Sequence, residues 1–109
     1  MEHEPLYSKF AADPEFRELL ESFVVSLQGA CESLRECLER EDLEHAWRIG
    51  FQLRGDGGGY GYPEISLAAA NFEENVREAG QINDSVRHDA DVLIELCRRA
   101  RAAIKDPRR

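Results

Sequence analysis

Residues Gly50 to Pro63 read GFQLRGDGGGYGYP, and this glycine-rich segment separates two predicted helices. This glycine stretch holds six of the eight glycines of the chain, and inside a helix each of them costs about 1 kcal/mol relative to alanine. Gly61 is suited to the left-handed conformation that ends a helix. Pro63 is suited to the first position of the next helix. The stretch therefore predicts a glycine-rich helix end, a tight turn and a new helix.

On both sides of the glycine stretch, apolar residues recur at steps of three and four, the pattern of amphipathic helices. They predict helices over about residues 14–40, 43–60, 63–79 and 84–105. The predicted caps are Asp13, Asp42, Gly61, Gly80 and one of Asn83, Asp84 and Ser85. The apolar positions are Phe16, Leu19, Leu20, Phe23, Val24, Leu27, Ala30, Cys31, Leu34, Cys37 and Leu38, then Ala46, Ile49, Gly50, Leu53, Gly57 and Tyr60, then Ile65, Leu67, Ala69, Phe72, Val76 and Ala79, then Val86, Ala90, Leu93, Cys97, Ala100 and Ile104.

Four amphipathic helices joined by short connections predict an all-α protein, an antiparallel four-helix bundle. The 109 residues are enough for one domain with its own core. We expect the bundle to span residues 13–105, after a lead-in of residues 1–12 and before a basic tail of residues 106–109. In the lead-in, Leu6, Tyr7 and Phe10 are expected to form one helical turn over an end of the core. No strand pattern or internal repeat appears.

Composition excludes several classes of function. The formal net charge of −8 argues against a surface for nucleic acid or anionic membrane, and no apolar run is long enough for a membrane span. The acidic N-terminus does not resemble a signal peptide. The three cysteines are an odd number without metal-ligand spacing, so we expect reduced thiols, a cytoplasmic location and no metal or cofactor.

The glycine stretch resembles the signature of histidine-containing phosphotransfer (HPt) domains, which is His-x-Leu-Lys-Gly followed by Gly and an aromatic-Pro-Glu helix start. Asp42-Leu43 and Phe72-Glu73 also resemble conserved pairs of that family. The resemblance implies a four-helix bundle with the phosphoacceptor histidine exposed on the second helix. The residues of the signature that match in register are Leu53, Arg54 (for Lys), Gly55, Gly61, Tyr62, Pro63 and Glu64.

The position that holds histidine in HPt domains is Phe51. A phenyl ring has no lone pair and cannot accept a phosphoryl group, so the nucleophile of the family is absent. In HPt domains, small Ser or Ala residues on the next turn let the partner approach closely. This chain departs from that pattern with Asp56-Gly57-Gly58-Gly59. We therefore interpret the chain as a pseudo-HPt module of a two-component phosphorelay, a docking protein and not an enzyme.

At 100° per residue, Phe51 falls on the side of the second helix opposite the apolar face and should be exposed. Trp47 lies four residues before it, so the two rings should form one aromatic patch. The partner implied by the resemblance is a response-regulator receiver domain or a histidine kinase. The predicted partner-binding residues are Trp47, Arg48, Phe51, Gln52, Arg54, Gly55 and Gly58.

Two alternatives remain open at this point. The first is active phosphotransfer through another histidine, although His45 lies about 120° around the helix and about 9 Å along it from Phe51. His88 is on a different helix and His3 is in the N-terminal tail. The second is a helical bundle that serves homo-oligomeric assembly, with Trp47 and Phe51 buried in a homodimer interface. The expected oligomeric state is a monomer or a weak homodimer. The glycine run lacks a following Gly-Lys-Ser/Thr, so we reject a phosphate-binding loop.

Overall fold

A computed structural model describes residues 4–103 of the chain, and it confirms the all-α four-helix bundle. A 3₁₀ turn, Pro14–Phe16, leads into the first helix. None of the helices within the described range is both long and apolar enough to cross a bilayer. The helices are α1 (Arg17–Glu39), α2 (Leu43–Gly59), α3 (Pro63–Ala79) and α4 (Asp84–Arg99).

Contacts between helix ends show that neighbouring helices run in opposite directions. Arg87, near the start of α4, donates a hydrogen bond of 3.3 Å to the carbonyl of Leu38 at the end of α1. Asn75, late in α3, donates one of 3.0 Å to Asp89, early in α4. In each of these contacts, the later part of one helix lies beside the earlier part of the helix that packs against it, as in an antiparallel bundle.

The predicted starts of α2 and α4 are confirmed by their capping bonds, whereas α1 begins at Arg17, three residues later than predicted. Asp42 accepts a hydrogen bond of 3.3 Å from the backbone N–H of His45, and this bond lowers the pKa of the Asp42 carboxyl. Asn83, one of three predicted candidates, caps α4 by accepting 2.8 Å from the N–H of Val86. Asp13 caps the 3₁₀ turn. Each oxygen satisfies a donor that the first helical turn leaves unpaired.

Gly61 ends α2 in the left-handed conformation, as predicted, with φ of 87°. Its N–H donates to the carbonyl of Gly58 at 3.2 Å, and the N–H of Tyr62 donates to the carbonyl of Gly57 at 2.7 Å. These two bonds are those of a Schellman motif. Pro63 follows at the first position of α3 and needs no hydrogen-bond partner for its nitrogen.

The core lies between the four helices, but the sequence pattern assigned two leucines to it wrongly. Leu19 and Leu67 are exposed. Leu67 is two residues from Ile65 and from Ala69, about 200° around the helix from each, so the three cannot share one face; Ala68 is buried instead. The largest fully buried side chains are Tyr62, Phe72, Leu20, Leu27, Leu34, Ile65, Leu93, Val86 and Cys97.

Helices α2 and α3 pack closely because glycine stands at two positions of α2. A Cβ atom on Gly50 would lie 2.9 Å from the ring of Phe72. A Cβ atom on Gly57 would lie 3.0 Å from the backbone nitrogen of Ser66 and 3.1 Å from Ile65. Real side chains almost never make a contact as short as that at Gly50, and the contacts at Gly57 are tighter than nearly all real ones, so the two helices approach this closely because these residues lack a side chain.

The chain ends differ from the prediction. Leu6–Tyr7 forms a two-residue strand, β1, where the sequence predicted a helical turn, and it pairs in parallel with β2, Ala100–Arg101. Ala100 is buried in this strand rather than in a longer α4. Two-residue strands leave no periodic pattern in a sequence, which is why the prediction missed them. The predicted core position Ile104 and the basic tail 106–109 lie outside the described residues, as does His3.

The lead-in and β2 together hold the turn between α2 and α3. Ser8 Oγ donates a 2.6 Å hydrogen bond to the carbonyl of Tyr60. Tyr62 Oη donates one of 2.6 Å to the carbonyl of Arg101. Phe23 of α1 stacks on Tyr60 with ring centroids 4.3 Å apart. The N-terminal residues thus cover one end of the core, as expected, although not as a helix.

We predict opposite effects from two glycine-to-alanine substitutions in α2. Gly57→Ala should lower the free energy of unfolding by about 1–3 kcal/mol, because the new methyl group pushes against the α3 backbone. Gly55→Ala meets no atom within 4 Å and should raise it by about 0.5–1 kcal/mol through helix propensity. Urea denaturation of both variants measures this. Equal effects of the two substitutions would contradict the close-packing role of Gly57.

Candidate functional site

The aromatic pair predicted from the sequence forms on the outer side of α2. The rings of Trp47 and Phe51 stack with centroids 5.4 Å apart and an angle of 16° between their planes. Phe51 is 49 % exposed, at the position where the HPt resemblance places a histidine. Trp47 is only partly exposed and packs against the core, so it supports the Phe51 ring while it also covers neighbouring helices.

Arg54 lies one turn beyond Phe51 and makes two contacts at once. Its guanidinium carbon is 5.2 Å from the centre of the Phe51 ring, within the range of a cation–π interaction. Its Nε atom is 2.9 Å from Oε1 of Glu73 on α3. Arg54 therefore connects the exposed ring to the neighbouring helix.

Glu73 is the buried half of this ion pair, with 7 % of its side chain exposed against 46 % for Arg54. Among the described residues, no group donates a well-aligned hydrogen bond to its Oε1 atom, so Arg54 compensates the charge by proximity. A buried carboxylate without its cation is strongly destabilising. The pair therefore fixes the side chain of Arg54 against α3.

The other predicted site residues fall into two groups. Gln52 and Gly55 line an open depression of about 480 Å³ together with Phe51, Arg54 and Asp56. No atom lies within 4 Å of the place that a Cβ on Gly55 would take, so this part of the surface is free for a close approach.

Arg48 and Gly58 lie beside that depression and not in it. Arg48 forms an exposed ion pair of 3.1 Å with Glu44. Gly58 is exposed, and a Cβ on it would be in ordinary contact with Ser66, at 3.5 Å from Oγ. The structure thus brings Phe51, Gln52, Arg54 and Gly55 into one surface, with Arg48 and Gly58 at its edges.

The described histidines occupy other places. The Nδ1 atom of His45 lies 2.7 Å from Oδ2 of Asp42, so this ring is held at the start of α2. His88 is exposed on α4, while Phe51 is on α2. Within residues 4–103, no three His, Cys, Asp or Glu side chains are grouped so that they could hold a metal ion.

Glu73 is a site residue that the sequence prediction lacks, since the sequence connects it only with the Phe72-Glu73 pair of the HPt resemblance. A signal was present, because Glu73 is four residues after Ala69 and three before Val76, both of which are on the apolar side of α3. A carboxylate at that spacing indicates a buried charge that needs a partner. Nothing in the sequence alone indicates that the partner is Arg54.

No family model, curated protein or solved structure matches this chain. Any proposal of function therefore rests on the chemistry of the surface together with the sequence resemblance. An exposed aromatic ring beside a fixed guanidinium and an open glycine provides apolar contact area and hydrogen-bond donors. The Phe51 ring supplies neither a nucleophile nor a base.

We predict that Phe51→Ala leaves the fold intact. Half of the ring is already in water, so the free energy of unfolding should fall by about 1 kcal/mol or less, mainly through lost stacking. Leu53→Ala, two residues away in the buried face of the same helix, should cost about 2–5 kcal/mol. Urea denaturation followed by far-UV circular dichroism compares them. A Phe51→Ala loss as large as that of Leu53→Ala would show that Phe51 is a core residue.

Proposed function

We propose that this protein is a pseudo-HPt docking module of a two-component phosphorelay, which binds a response-regulator receiver domain or a histidine kinase through the Phe51 surface. The observation that carries the proposal is the exposed phenyl ring with its guanidinium neighbour, located where the resemblance places the phosphoacceptor histidine. We call the docking surface the Phe51 surface, and it consists of Trp47, Arg48, Phe51, Gln52, Arg54, Gly55 and Gly58.

The composition of the Phe51 surface favours protein binding. Tryptophan and arginine are enriched among the residues that dominate binding energy at interfaces, and large aromatic rings supply much of the buried area. Phe51 offers an apolar contact that is 49 % exposed in the free protein. Gly55, with nothing near its missing Cβ, leaves room for a partner's backbone beside that ring.

Charge supports an acidic partner. The protein as a whole carries a net charge of −8, yet the Phe51 surface presents the cations Arg48 and Arg54. Arg48 is paired with the exposed Glu44 and Arg54 with the buried Glu73, but the Glu73 contact uses only Nε, so Arg54 keeps further N–H donors for a partner's carboxylate. The resemblance implies that a receiver domain offers an acidic pocket at this place, and a guanidinium matches carboxylate geometry well.

In this proposal the protein is not an enzyme and needs no cofactor. The HPt resemblance implies chemistry in which an imidazole nitrogen attacks an aspartyl phosphate, and Phe51 cannot take that role. A cytoplasmic location belongs to the same proposal and is supported by three buried cysteines that are all free thiols.

We predict that a receiver domain from the same source binds the Phe51 surface. In an NMR titration of the labelled protein with such domains, phosphorylated and unphosphorylated, the shifted resonances should cluster on Trp47, Phe51, Arg54 and Gly58. Phe51→Ala should weaken binding at least about 30-fold, as expected for a central aromatic contact. The matched control is Val92→Ala on α4, an apolar side chain of similar exposure at 43 %, which should bind as the wild type does.

Two results would count against this proposal. One is the absence of shifts with every receiver and kinase domain tested. The other is a sedimentation coefficient that rises with protein concentration and returns to the monomer value in Phe51→Ala. That second result would assign the same surface to a homodimer.

We also predict that Phe51→His gains phosphoacceptor activity while the wild type has none. In the variant, the P–O bond of the receiver's aspartyl phosphate would break, a bond from phosphorus to the imidazole nitrogen would form, and the receiver's carboxylate would leave. The measurement is acid-labile ³²P on the protein after incubation with the phosphorylated receiver. Label on the wild-type protein, lost in His45→Gln or His88→Gln, would instead support phosphotransfer through another histidine.

A further inference from the structure

Glu73 is a buried carboxylate that the docking proposal does not use. Its side chain is 7 % exposed, and burial of a carboxylate carries a desolvation penalty that a neighbouring cation has to offset. Arg54 supplies that compensation at 2.9 Å. Two apolar side chains of similar volume often stabilise a fold more than such an ion pair does. Stability alone therefore does not account for the Arg54–Glu73 pair, and its effect on the Phe51 surface has to be considered.

The ion pair restricts the conformations of the Arg54 side chain. An arginine side chain on a helix surface has many rotamers in water, and fixing it costs conformational entropy. Here the Nε atom of Arg54 contacts Glu73 on α3, and the guanidinium carbon of Arg54 lies 5.2 Å from the centre of the Phe51 ring. The guanidinium that lies over the exposed ring is therefore anchored from the neighbouring helix.

We propose that Glu73 is a positioning residue, which holds the Arg54 guanidinium against the Phe51 ring and so presets the surface for a partner that presents a carboxylate beside an apolar group. The role of Glu73 in binding rests on the proposed docking function, whereas its role in placing Arg54 belongs to the free protein. Arginine has five N–H donors, so a contact made by Nε leaves others for the partner's carboxylate.

The chain offers a matched control for a test by substitution. Glu32 pairs with Arg35 on α1 at 3.5 Å, and both side chains are exposed, 69 % and 44 % respectively. Exposed pairs of this kind order their arginine little and contribute little. Glu32→Gln therefore repeats the chemical change of Glu73→Gln at a place where no positioning is expected.

The first arm of the test uses the free protein. Ring currents from Phe51 should shift the δ-proton resonances of Arg54 upfield in the wild type. Glu73→Gln should move these resonances to random-coil values, and Glu73→Asp, whose carboxylate is one methylene shorter, should move them part of the way. Glu32→Gln should leave them in place. Unchanged Arg54 resonances in a folded Glu73→Gln variant would overturn the positioning role.

The second arm measures binding to a receiver domain that shifts the Phe51 surface in the titration. Glu73→Gln should raise Kd about tenfold, because the partner must then order the Arg54 side chain itself. The same change in an Arg54→Gln background should leave Kd unaltered, since Glu73 acts through Arg54 in this proposal. An equal loss in both backgrounds would show that Glu73 acts on the fold.

The two arms separate the two proposals. If the Arg54 resonances respond to Glu73→Gln and no receiver or kinase domain binds, the docking function fails and the positioning of Arg54 stands. If a receiver binds and Glu73→Gln has the Kd of the wild type, docking stands and the positioning role in binding fails. Circular dichroism of each variant checks that it is folded. If Glu73→Gln does not fold, Glu73→Asp replaces it in both arms.

Discussion

The close contact between α2 and α3 is the constraint on which the rest of this structure depends. Gly50 lies against the ring of Phe72, and Gly57 lies against the backbone of Ser66. Larger residues at these positions would separate the two helices, because their Cβ atoms would overlap atoms of α3. At the distance that the glycines allow, Glu73 of α3 comes within 2.9 Å of Arg54 on α2. The packing inside the bundle therefore determines the arrangement of charges on its surface.

The glycines of α2 divide into two groups with different physical roles. Gly50 and Gly57 are buried and permit helix packing, whereas Gly55, Gly58 and Gly59 are exposed and leave the outer side of the helix without side chains. All of them weaken the helix by propensity alone. The structure offsets that weakness at the helix end, where Tyr62 is fully buried and donates a hydrogen bond to Arg101.

The Phe51 surface is a product of both sides of α2. Its aromatic ring points outward because of helix periodicity, and its cation is held there by a carboxylate from the core side of the next helix. A phenyl ring in this position offers apolar contact area but has no atom that could form a bond to phosphorus. The surface can therefore make contacts with a partner without accepting a phosphoryl group, and this is the physical basis for proposing a docking role.

The features that depend on local rules could be read from the sequence. Helix periodicity predicted four helices and an exposed Phe51, and the lack of a Cβ atom predicted the left-handed Gly61. Side-chain chemistry predicted the cap at Asp42 and limited the cap of α4 to Asn83, Asp84 or Ser85. Only the tertiary structure decided the pairing of β1 with β2 and the ion pair between Arg54 and Glu73. Each of these joins residues that are distant along the chain, and no local pattern encodes which of several possible partners a strand or a charge will meet once the helices have packed.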